Sequence, residues 1–273
     1  MCRPKFSRSL LFLFTAGLLL ALAVSLSAET VVVPFTGGTA AASTLLPYSG
    51  PVWISVSGTG TIAATPPIND AFYIFTDAAG IEIPPVYPDP VGQPDSGILW
   101  MNGAAAQYSI SGWTAPPAYN SGHQYAFLAG VSAGPISFGV GDAANPTDNT
   151  GSYTVWVAVP AEVDLTPQTL NLRSNGRWVT VFIELPVGLN PRNIVRSSIR
   201  LNGSVAPAAR PWAIGDHDGD RIRDLMVKFS RSAVQSLLSP GEDTITLTGD
   251  LADGTSFLGT TTVRVINPGR GRR

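Results

Sequence analysis

No stretch of this sequence holds a helical period of apolar residues for long. Apolar residues instead alternate with polar ones in short runs that stop at glycine or proline. Val52-Trp53-Ile54-Ser55-Val56-Ser57 alternates and ends in Gly58-Thr59-Gly60. Ala71-Phe72-Tyr73-Ile74-Phe75-Thr76-Asp77 closes at Ala78-Ala79-Gly80, and Leu225-Met226-Val227-Lys228-Phe229 repeats the pattern. A period of two is the signature of a strand with one buried face. The 28 glycines, 23 prolines and 13% charged residues fit short strands joined by turns. The chain is therefore expected to be all-β. One helical stripe stands out, at Ala233, Val234, Leu237 and Leu238. It is expected to be capped by Ser230 or Ser232 and stopped by Pro240-Gly241.

Residues 1–28 read as a cleaved secretory signal peptide. Arg3, Lys5 and Arg8 form its positive end, Leu10 to Val24 its apolar core, and Ser25-Leu26-Ser27-Ala28 its small cleavage residues. A retained N-terminal anchor is the alternative, although the run is short for a span. The mature chain is expected to be secreted, extracellular or periplasmic, without stable membrane insertion. Cys2, the single cysteine, lies inside this segment. A mature chain without disulfides can be braced by bound metal instead. Loss of residues 1–28 removes three of the 17 basic residues and none of the 19 acidic ones, leaving a net charge of −5. Nothing in that balance recruits nucleic acid or an anionic membrane.

Two consecutive β-sandwich domains are expected. Residues 29–160 supply about eight short strands, which fit a jelly-roll-like sandwich. Within them, Ile81 to Ser96 carries five prolines and cannot pair as a central strand, so it reads as a binding loop. Trp113 to Gly122 is a second loop. Gly37 to Ser43 is small and reads as flexible. Val159-Pro160-Ala161 reads as a linker. Residues 161–267 form the second sandwich, and 268–273 a basic tail.

The chemistry concentrates in Asp216-His217-Asp218-Gly219-Asp220-Arg221-Ile222-Arg223-Asp224. Asp216, Asp218, Asp220 and Asp224 stand at positions one, three, five and nine of a tight loop. Calcium takes six to eight oxygens, and carboxylates on alternate turn residues can converge on one point. Ile222, at position seven, can add its main-chain carbonyl, and Gly219 eases the bend. Aspartate and glycine are also common in ordinary turns, which accounts for some of these residues but not for four at this spacing. Position six is Arg221 and position twelve is Val227, so the full EF-hand pattern is absent. His217 is expected to point outward from the loop.

A second acidic loop, Gly141 to Ser152, carries Asp142, Asn145, Asp148 and Asn149 before Gly151-Ser152-Tyr153. It resembles the calcium loop of galactose-binding bacterial lectins of the PA-IL type, and the resemblance spans residues 51–159. It implies a calcium β-sandwich with oxygen ligands from Asp142, Asp148 and Asn149, and from the carbonyl of Asn145. An asparagine-rich hairpin without metal is the alternative. No sugar-contacting His-x-x-Gln pattern occurs in Ile81 to Ser96, so galactose recognition is not implied. In the second half, Ser198-Ile199-Arg200-Leu201-Asn202-Gly203, the aspartate loop with Leu225 to Arg231, and Gly249-x-Leu-x-Asp-Gly-Thr-x-Phe-x-Gly resemble a module at the C-terminal end of exported bacterial and archaeal proteins. That resemblance implies an Ig-like sandwich with a structural calcium loop, and it implies no activity.

Catalytic sets are hard to find. There is no Gly-x-Ser-x-Gly elbow, phosphate loop, His-Glu-x-x-His or Cys-x-x-Cys. His123 reads as a histidine closing a turn, with a hydrolase site around His123 and Asp77 as the alternative. Glu184 is expected to face solvent from an apolar strand, with no acid–base partner. Trp53, Trp100, Trp113, Tyr119, Trp156 and Tyr87 are core candidates that can also stack on sugars if a face is exposed. The expected protein is not an enzyme. It is a secreted calcium-binding recognition or adhesion module whose partner is an extracellular glycan or a cell-surface protein. A carbohydrate-binding lectin using calcium in its first domain is the second expectation, and an exported hydrolase the third.

Overall fold

Alternation places the first core. In the computed structural model, which describes residues 29–63, 66–88, 96–142 and 145–268, the first half builds eleven strands. They are β1 (Thr30–Pro34), β2 (Ala42–Ser43), β3 (Tyr48–Thr61), β4 (Ile68–Asn69), β5 (Ile74–Thr76), β6 (Glu82–Val86), β7 (Leu99–Met101), β8 (Ala104–Ala105), β9 (Gln124–Gly134), β10 (Ser137–Val140) and β11 (Thr150–Pro160). The expected signal segment and residues 269–273 of the tail lie outside the described residues. β11 pairs with β3 and β1, and β3 pairs with β9, all antiparallel. β2, β10, β7 and β8 form a second sheet. Val52, Ile54 and Val56 of β3 are fully buried, as are Tyr153, Val155 and Val157 of β11. Each such side chain contributes roughly 1.5–3 kcal/mol by leaving water.

Two glycines permit close approaches. A Cβ on Gly60 would lie 2.3 Å from the Thr150 carbonyl oxygen and 2.7 Å from the Phe35 ring. A Cβ on Gly139 would lie 2.2 Å from the Thr39 carbonyl carbon. The Gly37 to Ser43 segment expected to be flexible is thus ordered: Gly37 to Ala40 belong to a packed 3₁₀ turn, Phe35–Ala40, that lies on β10 with Phe35 fully buried, and Ala42–Ser43 form β2.

The second half adds β12 (Glu162–Thr166), β13 (Thr169–Asn171), β14 (Trp178–Glu184), β15 (Arg200–Leu201), β16 (Ala213–Gly215), β17 (Asp224–Ser230), the helix α1 (Arg231–Gln235), β18 (Gly241–Asp250) and β19 (Ser256–Ile266). One sheet runs β12-β14-β17-β16. β18 pairs with β15 and β19, and β13 pairs with β19. A second apolar cluster includes Val179, Val181 and Ile183 of β14, Leu225, Val227 and Phe229 of β17, and Ile245 and Leu247 of β18. The architecture is an all-β sandwich fold.

Three expectations change here. Val159-Pro160-Ala161 is not a loose linker: β11 pairs in parallel with β19 at Val159–Phe257 and Pro160–Leu258, and Ala161 N donates to the Leu258 carbonyl. A small cluster of Trp53, Trp156, Ala158 and Leu258 closes that junction. The proline-rich stretch forms β6 through Pro84 and Pro85, at the edge of its sheet, where missing donors cost least. Residues 89–95 of that loop lie outside the described residues. The helix is a single turn with Val234 fully buried; Leu237 lies beyond its end and is exposed. Ser230 makes no capping bond to the helix backbone, because its hydroxyl pairs with that of Ser232 at 3.0 Å.

Candidate metal centre

Register across three strands assembles the acidic group. Glu162 of β12 stands opposite Glu184 of β14, and Glu184 stands opposite Asp224 at the start of β17. Trp178, Thr180, Phe182 and Glu184 occupy the outer face, because Val179, Val181 and Ile183 face the core. Three carboxylates therefore share one row on the outside of the sheet. The 216–223 loop, which joins β16 to β17, turns over the end of that row. It brings Asp218 and Asp220 to Glu184, with one oxygen of each within 4.8 Å of the others. Such a group can hold a metal ion.

The loop supplies its own scaffold. Asp216 accepts Gly219 N at 2.6 Å through Oδ1 and Arg221 N at 3.1 Å through Oδ2. Asp218 accepts Asp220 N at 3.1 Å, and Asp220 accepts Ile222 N at 2.7 Å. Asp224, which is buried, accepts His217 N at 2.6 Å. Gly219 and Arg221 both take the left-handed backbone conformation that this tight winding requires, at φ 82° and 81°. Arginine bears that geometry with strain, and strained backbone collects at functional loops.

His217 does not point outward. Its ring lies flat on Phe182 of β14, with centroids 3.4 Å apart and planes 5° apart. Its Nε2 is 3.6 Å from Asp164. The ring pins the loop to the sheet from inside the loop sequence.

Charge crowding marks the centre. Burial pushes the Glu184 carboxyl up to about 7, and Asp220, Glu162, Asp224 and Asp218 add to the rise. Burial likewise raises the Asp224 carboxyl, with the His217 amide opposing it. A cation would relieve both. Of the sequence-predicted ligands, Asp218 and Asp220 converge with Glu184, while Asp216 and Asp224 brace the loop through their amide bonds. The Ile222 amide also takes part in the bracing. Glu184 was missed because its sequence neighbours are apolar. The signal that finds it is the outward register of β14 against β17, and that register exists only in the sheet.

The second loop is arranged differently. Asp142 and Asn149 are buried at its base, while Asn145 and Asp148 lie on its exposed rim. Asn149 Nδ2 donates to the Phe35 carbonyl at 3.1 Å, and its Oδ1 is buried with no hydrogen-bond partner. Asp142 Oδ1 accepts Asn145 N at 3.3 Å, and Asn145 Oδ1 accepts the Thr147 hydroxyl at 2.9 Å. Residues 143–144 lie outside the described residues.

His123 has a partner other than the expected one. Its Nδ1 is 3.0 Å from Oδ2 of Asp70, which is fully buried. Asp77 instead accepts the amides of Ala79 and Ile81 in its own turn. Asp70 also accepts the Tyr125 hydroxyl at 2.8 Å and the amides of Phe72 and Tyr73 at 2.9 and 2.8 Å. Among the described residues, no helix is long and apolar enough to cross a membrane.

No protein-family model matches the sequence, and no curated protein does. One solved structure, the N-terminal domain of the Streptococcus gordonii adhesin Sgo0707, aligns at a TM-score of 0.23 and 9% identity over 82% of this chain. The chain spans 60% of that structure's length. A likeness at this level carries no weight for the site.

Proposed function

We propose that this chain is a secreted, non-catalytic, calcium-binding protein of two β-sandwich units, the second braced by calcium, that acts in extracellular recognition or adhesion. Residues 29–160 form the lectin-like recognition unit, and 161–267 the Ig-like bracing unit. The observation that carries the proposal is the convergence of Glu184, Asp218 and Asp220 at one point. The donors are all carboxylate oxygens, which suit a hard cation, and calcium tolerates the irregular, partly hydrated geometry of an exposed loop. Extracellular sites of this kind bind at about 10⁻⁴ to 10⁻³ M. At ten times the dissociation constant, one such site stabilises the fold by about 1.4 kcal/mol. Thermal unfolding of residues 29–273 in calcium and in chelator tests it.

A second reading places calcium in the 142–149 loop, as a lectin-type sugar site. The buried, unmatched Oδ1 of Asn149 favours it, since a buried acceptor left without a partner is costly. A glycan array probed in calcium and in chelator separates the two readings.

A further inference from the structure

The first unit carries a row of aromatic rings that the metal centre does not explain. Trp113, Tyr87, Tyr73, Tyr119, Phe75 and His123 follow one another with centroid spacings of 6.0, 6.3, 5.5, 6.4 and 4.3 Å. They come from distant parts of the sequence: β5 and its preceding turn, the residue after β6, the 113–122 loop, and the residue before β9. Tyr73 is buried, whereas Phe75, Tyr87 and Trp113 are half-buried. Tyr119 is 36% exposed, and the His123 side chain is 23% exposed.

Three of the rings are anchored by side-chain hydrogen bonds. The Tyr73 hydroxyl donates to the Pro117 carbonyl at 2.5 Å, which ties the loop to β5. The Tyr87 hydroxyl donates to Gln107 Oε1. His123 sits in the left-handed region at φ 51°, with its amide bonded to the Asn120 carbonyl at 2.8 Å. Its Nδ1 lies 3.0 Å from Oδ2 of the buried Asp70, which leaves Nε2, on the opposite side of the ring, to hydrogen-bond elsewhere. Anchored rings lose little conformational freedom when they bind a ligand.

A satellite apolar cluster under a long loop explains the buried rings. It does not explain why the row runs out to Tyr119 and ends on a hydrogen-bonding edge. Charge narrows the ligand. No lysine or arginine occurs between Glu29 and Leu172, so all 14 basic residues of the mature chain lie from Arg173 onward. The Tyr119 phenol is held up by burial and then by the carboxylates of Asp70 and Glu82. Negative surroundings disfavour nucleic acids and sulfated or uronic polysaccharides. Sugar rings have apolar CH faces and hydroxyl rims, which match aromatic faces edged by a hydrogen-bonding ring nitrogen.

We infer that the Trp113–His123 aromatic row is a metal-independent binding surface for neutral polysaccharide, with Tyr119 as its exposed stacking platform and His123 Nε2 as hydrogen-bond partner for a sugar hydroxyl. The inference deepens the recognition reading and is independent of the calcium centre.

The test is affinity electrophoresis of residues 29–273 in EDTA, through gels containing hydroxyethyl cellulose, galactomannan or arabinoxylan. At least one polysaccharide should retard the protein, and Tyr119→Ala should weaken that retardation about three- to tenfold. Tyr119→Phe keeps the ring and should keep the retardation. If Tyr119→Ala lowers the melting temperature, Tyr119→Leu against Tyr119→Phe carries the comparison, since both keep bulk and only one keeps the ring. Three outcomes overturn the inference: no retardation by any of the three, retardation indifferent to removal of the ring, or retardation that appears only when calcium is restored. The last would place the ligand on the 142–149 loop.

Discussion

Glu184 and Asp224 stand directly opposite each other on β14 and β17, on the outer face of their sheet. Two carboxylates in that relation repel, and no lysine or arginine pairs with either among the described residues. The 216–223 loop adds Asp218 and Asp220 to the same spot. The fold tolerates this crowding where a neutral pair would be more stable, and cation binding is the function that such a position can serve.

The first prediction concerns pH without metal. Glu184 holds a proton up to about 7 in the folded state, against a usual value of 4.5. The folded state therefore binds more protons than the unfolded one across that window, so stability falls as pH rises from about 4.5 to about 7. Melting temperatures in EDTA should decline over this range. Glu184→Gln should flatten the decline.

A second prediction concerns the histidine pin. His217→Ala removes the ring stacked on Phe182 and leaves the 217 amide bond to Asp224 in place. The expected loss is about 0.5–1.5 kcal/mol by urea unfolding. The exposed contact with Asp164 adds little to it. An unchanged midpoint would show that the stacked ring does not hold the loop down.

In the first unit, Asp70→Ala strands two buried amides and the Tyr125 hydroxyl. It should cost about 3–5 kcal/mol, as expected for a buried charge network that loses its centre. Denaturant unfolding measures it. Asp77→Ala, which affects only an exposed turn, serves as the comparison and should cost much less.

Close packing gives a further test. Gly139→Ala sets a methyl 2.2 Å from the Thr39 backbone, and Gly60→Ala sets one 2.3 Å from the Thr150 carbonyl. Neither neighbour is a side chain that can swing away. Each variant should lose about 1–3 kcal/mol, and Gly130→Ala, which meets no neighbouring atom, should lose far less.

Period-two alternation made the strands legible, because Val179, Val181 and Ile183 must share a face wherever the strand lies. The aspartate loop was legible for the same reason: its spacing is local. What the sequence hid is long-range. Glu184 meets Asp218 and Asp220 only through sheet register. His123 finds Asp70 across 53 positions, while the nearer-looking Asp77 serves its own turn. Val159 to Ala161 looked like a linker because proline interrupts it, yet parallel pairing with β19 absorbs it. The aromatic row was visible only as scattered rings, since four separate segments supply it. The absence of any basic residue from 29 to 172 was readable from the start and sharpens the choice of ligand.

The most direct test of the metal centre is thermal unfolding of residues 29–273 in calcium and in EDTA, for the wild type, Glu184→Gln and Asp218→Ala. The wild type should melt about 3–6 °C higher in calcium at ten times the dissociation constant. Both variants should lose most of that rise, and any remainder would belong to the Asp142–Asn149 loop. No rise in the wild type, or an equal rise in all three proteins, would contradict a calcium centre built on Glu184, Asp218 and Asp220.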